Sequence, residues 1–306
     1  MEILKIAELA EFEKVPPPRL ENSNFEWSFK MLSKDRRIAM SSLYNLLSYL
    51  DNLVDEQLGT NNPAAIRNFQ NKKIERINFW DKTIDSIYEE NYEVPECLKN
   101  LKYIISRFNI PKQYFQQLIN GFRRDLTQNR YETFEELKSY AFEVASVVGL
   151  ISIEIFGYKY ESARNYAINL GYALQLTNII RDIKADKDRG YIYLPLEDLR
   201  KFNYSVEELQ NEVYNDKFVE LLDFEAQRAK DYYFKARSFL RPEERRSMIA
   251  ASIMDEIYFR LLEKIQLREY NIFLKKIKVT RTHKIIIALK HYIGLKLFVN
   301  RLKKLP

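Results

Sequence analysis

Two pairs of aspartates, each four residues apart, lie in otherwise apolar segments: Asp51 and Asp55 in YNLLSYLDNLVDE, and Asp182 and Asp186 in NIIRDIKADKDRGYIYLP. On a helix, residues four apart project from one face. At 100° per residue, Gln175, Asn178, Asp182 and Asp186 fall within about 80° of one another. They are flanked by Leu174, Leu176, Ile179, Ile180 and Ile183. Tyr44, Ser48, Asp51 and Asp55 form a similar stripe, about 60° wide. A carboxylate withdrawn from water is costly unless it is paired or binds a metal. Magnesium takes oxygen ligands and completes its shell with water and substrate phosphate. Two such pairs on facing helices would clamp a metal-bridged diphosphate from both sides. The metal would neutralise charge growing on a departing diphosphate and so ease C–O cleavage. Arg181, beside Asp182, is placed to orient a carboxylate or touch phosphate. A single pair of this kind is ordinarily a solvated helix face. Two pairs, one extended to Asn-x-x-x-Asp-x-x-x-Asp, form a chemical pattern.

Long helices are needed to hold these stripes, and the sequence supplies them. Apolar residues recur at helical spacing in KDRRIAMSSLYNLLSYLDNLVDEQL, TFEELKSYAFEVASVVGLISIEIFG and ESARNYAINLGYALQLTNIIRDIKAD. The breaks are few: Pro16–Pro18, Asn61–Pro63, Pro95, Pro111, Gly157, the Asp188–Pro195 turn and Pro242. Strand-like alternation is nearly absent, and no linker or solenoid-length repeat divides the chain. The expectation is one all-α domain over residues 1–306, with long helices around a central space. Residues 1–21 read as an N-terminal extension and 275–306 as a basic amphipathic C-terminal segment.

Composition narrows the classes. Apolar residues make up 46% of the 306 and aromatic residues 14%, ample for a core. Only seven glycines occur, with no GxGxxG and no GxxxxGK[ST], so a dinucleotide fold or a P-loop has no support. The single Cys97 excludes an internal disulfide framework and fits a reducing compartment. With only His283 and His291, a histidine-rich metal site is not expected. The N-terminus lacks signal-peptide character, and no window reads as the roughly 20 apolar residues of a membrane span. A cytoplasmic protein is expected. From Tyr270 onward there are ten Lys or Arg and no Asp or Glu, so the remainder carries −4 against +6 overall. This basic, apolar tail fits a helix on the core with a cationic outer face, or peripheral contact with anionic lipid at the inner face of the membrane. No groove-reading motif accompanies the charge, so a nucleic-acid partner is not expected.

The same residues carry a resemblance. NIIRDIKADKDRGYIYLP resembles the second aspartate-rich motif of the squalene/phytoene synthases, N-[IL]-x-R-D-x-x-E-D-x-x-x-G-R-x-Y-L-P, and YNLLSYLDNLVDE resembles their first, Y-A-F-C-R-x-x-D-D-x-x-D-E. DLTQNRYETFEELKSYAFEVASVVGLISIEIFG is similar to the family's central segment, and YFRLLEKIQLREYNIFLKKIKVTRTHKIIIAL to its C-terminal part. The likeness runs in order from about residue 22 to 295.

It implies an all-α isoprenoid-synthase helical bundle with a central active-site cavity, and head-to-head coupling of two prenyl diphosphates through a cyclopropylcarbinyl diphosphate. Carried over by position, Asp51, Asp55, Asp182 and Asp186 would hold magnesium, or manganese, and diphosphate. Gln175, Asn178 and Arg181 would line the same stripe, with Tyr44, Ser48 and Asn52 on the first helix. Tyr140, Tyr193 and Tyr258 fall where family tyrosines sit near the diphosphate or the cations, whose charge an aromatic face can stabilise. Ser48 replaces a family arginine, Asn52 an aspartate, Ala185 a glutamate and Tyr191 an arginine; Asn24-Phe25 stands for Ser-Phe. Arg36, Arg37 and Lys184 are basic residues that could compensate. The segments VGLISIEIFG and YNIF…KVTRTHKIIIAL look most like bacterial squalene-pathway members. The main expectation is therefore two farnesyl diphosphates giving presqualene diphosphate or squalene, with a downstream squalene-pathway enzyme as a candidate partner. The alternatives are phytoene synthesis from geranylgeranyl diphosphate and a non-catalytic binding relative. NADPH use is left open.

Overall fold

The computed structural model describes residues 2–14, 25–60 and 62–302, with side-chain surroundings for 7–14, 27–60 and 62–296. In chain order the helices are α1 (Glu2–Lys14), α2 (Phe25–Lys30), α3 (Lys34–Asp55), α4 (Pro63–Ile87), α5 (Lys99–Phe108) and α6 (Lys112–Asp125). There follow α7 (Phe134–Ala141), α8 (Val147–Phe156), α9 (Ser162–Asp188), α10 (Leu196–Lys201) and α11 (Val206–Gln210). The last are α12 (Asp216–Phe239), α13 (Ile249–Gln266) and α14 (Arg281–Leu302). Among the described residues no strand forms; one isolated bridge pairs Arg130 with Ile192. The fold is all-α, as the periodicity predicts.

Backbone contacts gather into two compact units: α1 with α3–α6, ending at Gln128, and α2 with everything from Asn129 onward. In the first, α3 packs on α4, α5 and α6 through an amphipathic face of Ala39, Met40, Leu43, Leu46, Leu50 and Leu53. At the start of α4 the Asn62 side chain accepts from the Ala64 and Ala65 amides at 3.0 and 3.4 Å, and Pro63 occupies the first turn. Within the segment expected to be an extension, residues 2–14 form a helix. Glu8 of α1 is buried, and Phe12 meets Tyr49 and Trp80 edge-on at 5.3 and 5.0 Å. The expected Asn24 and the Pro16–Pro18 break lie outside the described residues.

In the second unit α9 is the hub, packing on α7, α8, α12 and α13. The predicted helix 133–157 is one apolar rod interrupted by a π-helical turn, Phe142–Ser146, between α7 and α8. The cause of close packing there is visible. Ser146 donates to the Ile168 carbonyl at 2.8 Å, and a Cβ on Gly171 would lie 2.5 Å from the Ser146 Cα. Further along α9, Thr177 and Tyr233 of α12 share a buried hydrogen bond of 3.0 Å. One earlier expectation is corrected here. The stretch Phe134–Phe156 is long and apolar enough to cross a membrane, and half of its apolar window is buried inside the protein. Glu143 and Glu154 obscured that length in the sequence.

Candidate active site

The first aspartate pair belongs to α3. Its apolar face is buried in the first unit, leaving Asp51, Asn52 and Asp55 exposed and Tyr44 and Ser48 half-buried. The desolvation argument therefore does not apply to this pair, whose two carboxylates are exposed. Asn45 joins the polar side, with its carbonyl oxygen buried and without a hydrogen-bond partner among the described residues.

The second pair lies on α9, and here burial is real. Asp186 is 7% exposed and Asp182 largely covered. Arg181 donates through Nε to Asp182 Oδ1 at 3.0 Å and through its terminal nitrogen to Oδ2. Lys276, from the connection between α13 and α14, reaches Asp182 Oδ1 at 2.7 Å. Burial pushes the Asp182 carboxyl up, but Arg181 and Lys276 outweigh it and hold it below the usual carboxylate range. Burial lowers the Arg181 pKa, but Asp182 above all, and then the nearby Tyr258, outweigh it and hold the guanidinium above its ordinary value. Arg189, one turn beyond Asp186, donates to its Oδ1 at 2.7 Å. Gln175 and Asn178 lie half-buried on the same stripe. Asn178 Oδ1 is buried with no hydrogen-bond partner among the described residues.

The structure gathers two of the three predicted tyrosines into one aromatic cluster. Tyr140 stacks on Tyr193 at 5.5 Å and 15°, and Tyr131 lies 5.3 Å from Tyr140. Tyr191 stacks on Tyr193 at 5.7 Å and 9°. Its ring thus extends the aromatic surface where the family pattern has an arginine. Tyr193 ends beside Asp186, lining with Ile179 and Tyr191 a cavity of only about 10 Å³. Tyr258 stands apart from the cluster, against Arg181. Lys184 does not compensate for the altered positions, because Glu212 at 2.8 Å and the Phe273 carbonyl at 3.0 Å occupy its ammonium. Besides Arg181, Lys276 and Arg189 reach the second aspartate pair. Neither was singled out in the sequence: Lys276 lies in a tail with ten cations and no local pattern, and Arg189 is one of several charges in a turn.

Among the described residues no three His, Cys, Asp or Glu side chains converge. Magnesium is held by one or two carboxylates with water and phosphate rather than by an all-protein cage. The oxygen-only donor set and the orphaned Asn178 acceptor fit such an ion. A groove of about 910 Å³ along α13 and α14 contains none of the predicted residues. Four of its charged groups are already engaged, as Arg237–Asp255 at 2.6 Å and Lys290–Glu256 at 2.8 Å.

The protein is all-α, and each of two long helices carries an i,i+4 aspartate pair on a polar stripe. Residues 19–283 match the squalene/phytoene synthase family, and the chain belongs to that family of prenyltransferases. It is 32% identical over 269 residues to 15-cis-phytoene synthase of Synechococcus elongatus, covering 83% of each chain. It is 33% identical over 254 residues to phytoene synthase of Arthrospira platensis, covering 78% of each. In fold it is similar to squalene synthase HpnC from Alicyclobacillus acidocaldarius, with a TM-score of 0.72, 22% identity and coverage of 89% of this chain and 97% of that one. A dehydrosqualene synthase solved with a ligand gives 0.73, 23%, 96% and 98%. Members of the family condense prenyl diphosphates head to head and bind the diphosphate through a divalent metal.

Proposed function

We propose that this protein couples two geranylgeranyl diphosphates head to head to give phytoene, using magnesium. The observation that carries this reading is the identity above 30% to phytoene synthases over most of the chain, with all four aspartates in place. It favours the twenty-carbon alternative over the farnesyl diphosphate reading drawn from individual segments. Asp51, Asp55, Asp182 and Asp186 are the metal and diphosphate ligands, and Asn178 adds a neutral oxygen to the second set. Magnesium supplies charge neutralisation for the departing diphosphates. Arg181 fixes one Asp182 orientation, and Lys276 and Arg189 bring positive charge to the same carboxylates. The tyrosine cluster offers π-faces to cationic carbon. In chemical balance, two allylic diphosphates lose two diphosphates and two protons, one of each per half-reaction, to form phytoene with its central conjugated triene. No reductant is consumed, so NADPH has no part in this reading.

A forty-carbon hydrocarbon has negligible solubility in water, so its release favours a membrane nearby. The outer side of α14 exposes Ile286, Leu289, Tyr292 and Ile293 beside Lys290 and Lys296, which supports contact with an anionic bilayer from the cytoplasmic side. Co-sedimentation with anionic vesicles, absent with neutral ones, is the expected sign. For the reaction itself, the test is competition. Equimolar geranylgeranyl and farnesyl diphosphates are supplied with magnesium, with and without NADPH, and the extracted products are identified by mass spectrometry. Phytoene independent of NADPH is expected. A thirty-carbon product in excess would return the reading to presqualene diphosphate or squalene, and no coupled product at all would favour a non-catalytic relative.

A further inference from the structure

Lys73 is a lysine in a position built for a hydrophobe. Lys73, Ile77, Trp80, Ile84 and Ile87 are the buried stripe of α4, spaced at three and four residues, and Lys73 is only 3% exposed. Its ammonium donates to the Val54 carbonyl at 2.7 Å and also to the Glu56 carbonyl. The last carbonyls of a helix have no partner within it, and these two bracket Asp55 at the end of α3. A single buried cation therefore ties down the residues on both sides of a predicted metal ligand. The placement is also electrostatic. The C-terminal end of a helix carries partial negative charge, and here Asp51, Asp55 and Glu56 add three carboxylates within two turns. Burial lowers the Lys73 pKa, while Glu56 and Asp55 act to raise it. One turn further along α4, Arg76 donates to the Tyr49 hydroxyl at 3.0 Å and pairs with Glu56 at 3.5 Å. Tyr49 is itself bonded to Glu8 at 2.8 Å. The last two turns of α3 are thus braced by two cations from α4.

We infer that Lys73 is a positioning residue for the Asp51/Asp55 pair: by holding the carbonyls on either side of Asp55 it sets the carboxylate spacing and hence the affinity of this pair for a divalent cation. An apolar side chain would fill the same buried stripe, so packing alone gives no reason for a charge at this position. Groups that orient metal ligands from behind typically govern affinity by about 10–100-fold.

The inference rests on the proposed role of the aspartates, and the experiment separates the two. Binding of Mn2+ to the full chain is titrated by the loss of the free-ion EPR signal, in the presence of inorganic diphosphate. Wild type is compared with Asp51→Ala, Lys73→Met, Lys73→Arg and Ile77→Val, each with its thermal midpoint. Lys73→Met is expected to weaken the Asp51-dependent binding by roughly 10-fold, and Lys73→Arg to remain within about 3-fold of wild type. Ile77→Val, a mild change on the same stripe, should lower the midpoint without changing Mn2+ affinity. Should the methionine variant not fold, Lys73→Gln, which retains a donor but no charge, carries the same expectation. Wild-type affinity in the uncharged variant would overturn the inference alone. Absence of any Asp51-dependent Mn2+ binding in wild type would overturn the reading of the aspartates, and this inference with it.

Discussion

Asp182 shows how much of the site's chemistry is settled by single contacts. Its carboxylate is covered and carries two cationic partners, one adjacent in sequence and one from a distant connection. Arg181 was legible because it stands next to Asp182 in a polar stripe. Lys276 was not, because only the tertiary fold brings it there. The same holds for Tyr191, which reads as a lost arginine in sequence and becomes a fourth ring of a stacked cluster in the structure. Lys73 carried a signal that charge alone concealed, since its spacing to Ile77 and Trp80 marks the apolar side of α4. At this scale, Lys276→Met should reduce turnover by roughly 10-fold, as expected for removing one charge-assisted contact. Thermal stability should stay nearly unchanged, because Lys276 is half exposed and such pairs contribute about 0–1 kcal/mol. Steady-state kinetics beside a melting curve check both parts.

Helices were the most legible elements, because α3 and α9 each repeat apolar residues at three and four over many turns. The π-helical turn at Phe142–Ser146 was not legible, since its five residues read as continuous helix. It is tied to the crossing with α9, where Gly171 allows backbone to approach backbone. Gly171→Ala should therefore destabilise the second unit by about 2 kcal/mol, as overpacking of a closed contact does, with a lower thermal midpoint as the readout. A second element-level effect concerns α13 and α14. Hydrogen bonding to His291, and then Lys290, outweigh burial and lower the Glu256 carboxyl from 4.5 to about 2. A depressed carboxylate contributes stability that is fully present above its ordinary pKa and is lost as pH falls through the folded-state value. Acid unfolding followed by circular dichroism should accordingly show stability falling between pH 4.5 and about 2. Glu256→Gln should flatten that dependence; an unchanged acid limb would mean the pair is not formed in solution.

For the whole molecule, length and pattern made the all-α class legible, while the division into two compact units was not. It depends on long-range contacts: α2 belongs with α13 and α14, although its neighbours in sequence lie in the other unit. Each unit carries one aspartate pair, and the proposed coupling requires both. The most direct measurement is release of inorganic diphosphate from geranylgeranyl diphosphate, followed together with hydrocarbon formation in wild type, Asp51→Ala and Asp182→Ala. The account predicts two diphosphates per hydrocarbon in wild type, and a loss of at least about 100-fold in either variant, as for removal of a metal ligand from a charge-stabilising site. Both variants should retain the wild-type circular dichroism spectrum. A folded variant in either unit that turns over at the wild-type rate would contradict the claim that the two aspartate pairs carry the reaction.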